Sequence, residues 1–259
     1  MQLRSIIQTL EACAPLELQE SYDNAGLQCG DPHQEVSRVL TCLDVTEATV
    51  AEAIDRGCQL ILSHHPLLFH GVKCISPEAG YIPRVLIEAI RNGIAIYSAH
   101  TNLDKARGGT NDYLADLLGL TDLQPLASCG VWGRLAQPLP AEQLLALVEQ
   151  RLHTRVRHSS LSSQFSSLDP QLLHTLALCT GSGASAIPEV EALGVDAFLT
   201  GEVGYHHFFG HPSLLLIEAG HYETEQFVTS IFARILTPLA PALECLSSQS
   251  MACPSPFFD

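Results

Sequence analysis

The sequence predicts an α/β fold built as two related lobes, and three observations predict it. Short apolar runs alternate with segments of helical periodicity, the pattern of a fold with largely buried strands. Glycines fall just past the helical segments, where a left-handed cap needs no Cβ. Two stretches of the chain also resemble each other. With 259 residues, 46% apolar and 16% charged, the chain has the composition of a folded protein with one large core or two modest ones.

Taken in order, Leu3, Ile6, Ile7 and Leu10 mark one face of an N-terminal helix. Apolar runs place strands at 36–43, 59–63, 94–98, 175–180, 197–200 and 214–217. Helical stretches lie between them at 47–56, 82–92, 110–118, 187–193 and 223–236. A further helix is expected at 141–153, after the break at Pro138 and Pro140. Gly57, Gly93, Gly119 and Gly194 are the expected caps.

The internal resemblance needs no gap. LTCLDVTEATVAEAIDRGCQLILSHH lies over LCTGSGASAIPEVEALGVDAFLTGE at a shift of 137 residues, pairing Cys42 with Cys179, Gly57 with Gly194 and Ser63 with Thr200. IAIYSAHTNLD lies over LLLIEAGHYETE at a shift of 121, pairing His100 with His221 and Asp104 with Glu225. Each half reads strand–helix–strand–strand and then His-x-x-x-carboxylate. The expected organisation is a lobe at 1–121, a connecting segment rich in Ser, Leu and Gln at 122–170, and a second lobe at 171–259.

Charge and cysteine content narrow the function. A net charge of −15 argues against a nucleic-acid binder, because phosphate contacts need a basic surface. A small anionic substrate remains allowed, since bound cations reverse the field locally. The nine cysteines include no C-x-x-C pair and read as reduced, mostly buried thiols. No apolar run reaches the roughly 20 residues of a bilayer span, and the N-terminus lacks a signal-peptide plan, so a cytoplasmic protein off the membrane is expected.

The chemistry gathers at strand ends, where α/β sheets bind ligands. His64 and His65 end the run LILSHHP before Pro66. His100 and Asp104 end the next strand, and His221 and Glu225 end a third in the frame GHYETEQF. A four-residue offset puts two side chains on one helix face, and a carboxylate suits the positive start of a helix. Imidazole and carboxylate together suit zinc, manganese or iron(II), and a carboxylate with two oxygens can bridge two ions. Glu202 and His206 follow the strand that pairs with the His64–His65 loop, which makes them candidates for orienting a ligand or moving a proton. Tyr22, Asp23 and Asn24 could order the wall of the site, while Trp132, Phe208 and Phe209 read as packing. CTGSGASAIPE lacks the lysine of a phosphate-binding loop, so Gly181 and Gly183 read as a tight turn. The tail MACPSPFFD supports no reading.

SYDNAGLQCG, SHHPLLFHGVK, SAHTNLDKARGGTNDYLADLLGL, TGEVGYHHF and GHYETEQF resemble, in order, the motifs of the NIF-three-like dinuclear metal-centre family, also called GTP cyclohydrolase I type 2 homologues. The resemblance runs from about Leu3 to Arg234. It implies a NIF-three-like fold with the metal site in the cleft between its lobes. Two divalent ions per subunit would be held by His64, His65, Asp104, His221 and Glu225, with Glu225 bridging and His100 close by. It also implies a homohexamer. Longer relatives carry an inserted domain, and 122–170 is too short for one.

Two readings of function follow. The first is a metal-dependent hydrolase acting on a nucleotide or another phosphate-containing small molecule, with His100, Glu202 and His206 as candidate catalytic residues. The second is a non-enzymatic metal-binding scaffold or regulatory protein. Five ligands leave two ions incompletely coordinated, which favours an open site and the first reading.

Overall fold

The computed structural model describes residues 1–159 and 172–254, and the chain divides into two compact units. The first unit takes Met1–Gly109 together with Phe227–Ala252. Its sheet has the strand order β1 (Gly26–Cys29), β4 (Ala95–Ser98), β3 (Leu60–Ser63), β2 (Arg38–Cys42) and β11 (Glu244–Ser247). Strands β2, β3 and β4 run parallel, in the register Cys42↔Ser63 and Ser63↔Ser98. The helices α2 (Glu47–Asp55) and α3 (Tyr81–Arg91) make the two crossovers between them.

Alternation along these strands explains why both faces are covered. Leu40, Cys42, Ile61 and Ile96 join Val50 and Ala53 of α2 and Val85, Leu86 and Ala89 of α3 in one buried cluster. The opposite face carries Val39, Leu62 and Tyr97, also buried, and the Tyr97 hydroxyl donates to Glu11 of α1 (Leu3–Cys13). Helix α1 buries Leu3, Ile6 and Leu10, the face expected from the sequence, and packs on α9 (Val228–Leu236). The end of β11 is clamped by Glu52 of α2, which accepts from the backbone N–H groups of Gln249 and Ser250 and from the hydroxyls of Ser248 and Ser250.

The second unit takes the described residues of Thr110–Gln226, with Cys253 and Pro254. Its sheet runs β5 (Leu120–Pro125), β6 (Val131–Leu139), β8 (Leu173–Cys179), β9 (Ala197–Thr200), β10 (Leu215–Glu218) and β7 (Arg157–His158). Here β8, β9 and β10 form the parallel core, in the register Cys179↔Thr200 and Thr200↔Glu218. Helix α7 (Ile187–Leu193) joins β8 to β9 and covers Ala177, Phe198 and Leu216. Thr110–Leu117 forms α5 and Ala141–Leu152 forms α6. Trp132 and Phe208 pack on the buried cluster as expected, whereas Phe209 is exposed.

The α/β expectation therefore holds in both units, and Gly57, Gly93, Gly119 and Gly194 all adopt left-handed φ. Three features differ from the sequence reading. Segment 122–170 is no mere connector, since its described part supplies β5, β6, α6 and β7; residues 160–171 lie outside the described residues. The unit boundaries depart from 1–121 and 171–259, because the chain returns after Gln226 to put α9 and β11 on the first sheet. The single helix expected at 223–236 is two, α8 (His221–Glu225) and α9, separated at Phe227, whose φ of −81° and ψ of 1° break the helix. Of the tail, residues 255–259 lie outside the described residues; Met251 accepts the backbone N–H of Leu43 at its sulfur. Among the described residues no helix is long and apolar enough to cross a membrane. All nine cysteines are free thiols.

Candidate metal centre

In the first unit, the parallel ladder itself aims the histidines. Beyond β3, the backbone N–H of His64 reaches Cys42 O at 3.2 Å and that of His65 reaches Leu43 O at 3.0 Å. The turn that follows is braced by Ser63, whose hydroxyl meets Ser98 Oγ at 2.8 Å and donates to His65 O at 2.9 Å. His64 is fully buried, and its Nδ1 lies 2.8 Å from the carbonyl of Ala99. A carbonyl can only accept, so Nδ1 carries a proton and Nε2 is the nitrogen that presents a lone pair in the neutral ring. Nε2 lies 3.5 Å from Asp104 Oδ1.

His65 and His100 are held in the same manner by carboxylates. His65 Nδ1 meets Asp44 Oδ1 at 2.7 Å, and His100 Nδ1 meets Asp23 Oδ1 at 2.7 Å. Asp23 also accepts from the backbone N–H of Thr101 at 3.1 Å and from the Thr101 hydroxyl. Burial pushes the Asp23 carboxyl up, but hydrogen bonds from His100 and Thr101, the His100 charge and the Asn24 N–H outweigh it and lower it to about 2. His100 caps α4 (Thr101–Lys105), and Asp104 sits one turn further on, with its N–H on His100 O at 3.1 Å. The ligand atoms of His64, His65 and His100 all lie within 4.8 Å of one another. Three imidazoles, each pinned at Nδ1 by an oxygen acceptor, fit a divalent cation.

The second unit places a histidine between two acids. His221 opens α8, with Nε2 3.1 Å from Glu225 Oε2 and Nδ1 3.3 Å from Glu202 Oε1. Glu225 is buried, while Glu202 is 57% exposed. The strand ends meet closely enough to exclude side chains. Gly181 has φ +63°, and a Cβ there would overlap Glu225 Oε1 and crowd His221 Nε2. A Cβ on Gly201 would strike Gly181 O and Thr224 Oγ1. Thr224 accepts the Gly181 N–H at 3.1 Å, and Thr200 accepts the Gly183 N–H at 2.9 Å. The tight turn expected at Gly181 and Gly183 is thus also the wall against which Glu225 rests.

The sequence candidates are therefore found in two groups: His64, His65, His100 and Asp104 in the first unit, and His221, Glu225 and Glu202 in the second. His206 lies on an exposed turn with its ring 5.3 Å from that of Tyr205. The sequence reading missed Asp44 and the Ala99 carbonyl. Asp44 follows β2 just as His64 and His65 follow β3, so its strand-end position was the available signal. Asp23 was noticed only as part of a wall, and its bond to His100 gives it a definite task.

Comparison with known proteins places this arrangement in context. The model of the Duf34/NIF3 (NGG1p interacting factor 3) family matches residues 1–254. A "GTP cyclohydrolase 1 type 2 homolog" of Clostridium perfringens is 32% identical over 87% of each chain. One of the same name from Lactococcus lactis is 32% identical over the whole of both chains. The structure of a Bacillus cereus protein related to NIF3 matches with a TM-score of 0.85 over 99% of each chain at 22% identity, a likeness of fold.

Proposed function

Because the chain belongs to the Duf34/NIF3 family, we propose that it binds two divalent metal ions and uses them to hydrolyse a nucleotide or another phosphate-containing small molecule. His64, His65 and Asp104 of the first unit and His221 and Glu225 of the second would hold the ions, and the buried Glu225 carboxylate offers two oxygens for the pair. The observation that supports this best is the triple arrangement in the first unit, where Ala99, Asp44 and Asp23 hold Nδ1 of His64, His65 and His100. Such partners fix the tautomer and the ring plane and raise the basicity of the other nitrogen. Zinc, manganese and iron all suit this donor set.

When bound, a pair of divalent ions supplies charge that polarises a substrate oxygen and acidifies water. The chain's own residues do the rest. Asp104 and Glu225 offset the positive charge, and both are buried, so their carboxylates act in a medium of low dielectric. Glu202 is exposed and can exchange a proton with solvent while orienting His221. His100, tied to Asp23, stands beside the ions, where it can add a third imidazole to the donors of the first unit and is the second candidate for a proton-transfer role. The protein works as a homo-oligomer, which we expect to be a hexamer, and in the cytoplasm, where its thiols stay reduced.

The test is metal content by mass spectrometry on protein purified without added metal, followed by a hydrolysis screen across nucleotides and phosphoesters. About two equivalents per chain are expected, with activity lost on chelation and restored by metal at neutral pH. Bound metal without hydrolysis of any phosphate compound would favour the scaffold reading. Activity that survives chelation would place the chemistry elsewhere.

A further inference from the structure

Beside the histidine group of the first unit stands an aromatic surface that the metal reading leaves unused. Tyr22 is 66% exposed and Phe69 is 38% exposed, and their rings meet edge to face at 6.4 Å. Phe69 in turn lies 6.1 Å from the ring of His100 and 5.0 Å from that of His70. His100 itself is 5.2 Å from His64 and 5.6 Å from His65. A continuous row of rings therefore leads from the candidate metal donors out to solvent. Tyr22 keeps most of its ring in water and Phe69 part of its own, which forgoes favourable burial, and exposed aromatic surface of this kind marks binding sites.

The loops that carry these rings are tied together. Asn24 Nδ2 donates to Leu68 O at 2.8 Å, and Leu68 N–H donates to Gln28 Oε1 at 3.2 Å. The residues beside Tyr22 and Phe69 are thus fixed to one another, and Asp23 fixes the same loop to His100. A binding wall held in place before the ligand arrives loses little entropy on binding.

We infer that Tyr22 and Phe69, set at 64° to each other, form a corner for a planar heteroaromatic ring, one against its face and the other against its edge, so that the ligand of this site is an aromatic compound bearing an anionic group. This rests on the reading of the histidine group as a metal site, because the ions take the anionic end. The ring end is held by Tyr22 and Phe69. Stacking on an aromatic side chain tolerates many ring systems but rewards flatness, so the wall selects nucleotide-like compounds over sugar phosphates.

The experiment measures binding of guanosine 5′-monophosphate, guanosine, ribose 5-phosphate, ribose and inorganic phosphate by calorimetry, with metal content determined on the same samples. The wild type should prefer guanosine monophosphate to ribose 5-phosphate by about tenfold or more. Tyr22→Ala and Phe69→Ala should abolish that preference, Tyr22→Phe should keep it, and all should retain metal and phosphate binding. Equal affinity for the two monophosphates in the wild type, or a preference that survives in Tyr22→Ala, overturns the inference. So does a change in oligomeric mass in Tyr22→Ala without a change in binding, which would make the patch a subunit contact. Wild-type protein without metal would sink the metal reading alone, since the ring preference is then read from guanosine against ribose.

Discussion

Where the first unit ends its central strand with His64–His65, the second has Gly201–Glu202 at the corresponding positions, and where the first has Asp44 the second has Gly181. The strand registers show that these positions correspond, since Cys42 pairs with Ser63 as Cys179 pairs with Thr200. At its strand ends the first unit carries the imidazoles of His64, His65 and His100, and an oxygen acceptor holds each of these rings. At its own strand ends the second carries His221, with acids on both sides, and glycine makes room for them. The step from strand to histidine also differs. Ala99 N–H meets Ser63 O and Ala219 N–H meets Thr200 O, so the ladders agree up to there. The second unit then inserts Gly220, with φ +94°, before His221. One frame thus supports two donor sets, and the difference lies in a few residues at strand ends.

The largest effect expected is at Gly181. Gly181→Ala places a methyl group on Glu225 in a left-handed backbone and should cost about 3 kcal/mol, or prevent folding. Gly194→Ala, whose Cβ would meet nothing within 4 Å, should cost only about 1 kcal/mol for its left-handed φ. Urea unfolding of both variants measures the contrast. Equal losses would mean that the close approach of Gly181 to Glu225 contributes nothing.

A smaller effect concerns the acids that orient histidines. Asp23→Ala should weaken metal binding by about 10–100-fold, because it frees His100 and Thr101 together. Glu202→Ala should weaken it less than Asp23→Ala, since Glu202 is exposed and sits 3.3 Å from His221. Competition with a chelator ranks the two, and the reverse order would break the proposed division between a pinned half and a looser one.

The smallest effect tests a clamp that recurs in the second unit, where Glu189 of α7 accepts from the N–H groups of Ala127 and Ser128 and from the Ser128 hydroxyl. Burial pushes the Glu52 carboxyl up, but the Gln249 N–H, the Ser248 hydroxyl, Arg56 and the Ser250 hydroxyl outweigh it and lower it from 4.5 to about 2. A carboxylate depressed on folding contributes stability above its unfolded pKa and loses it as pH falls through the folded value. Glu52→Gln should therefore cost about 1 kcal/mol at neutral pH after allowance for solvent screening. That difference should shrink between pH 4.5 and about 2. A gap in melting temperature that is the same at pH 7 and pH 3 would contradict this.

The parallel strands and their crossover helices were legible because apolar runs, helical period and capping glycines all agree there. Edge elements were not. β6 is buried on alternate residues only over Val131–Leu135, and the pairing of β11 with β2 depends on chain contacts 206 residues apart. The histidines were legible because they end apolar strands. Their supports were not, since Asp23 arrives from a loop, and a backbone carbonyl such as that of Ala99 has no sequence signature. The split between α8 and α9 escaped because the apolar spacing of 223–236 continues across Phe227.

Under the proposed function, Glu225 takes part in holding both ions. Metal equivalents per chain in Glu225→Gln, measured beside the wild type, His64→Ala and His65→Ala, test it most directly. Circular dichroism on the same samples checks that each variant is folded. Folded Glu225→Gln is expected to lose both ions, while each histidine variant mainly weakens one. Folded Glu225→Gln that still holds about two equivalents would contradict it.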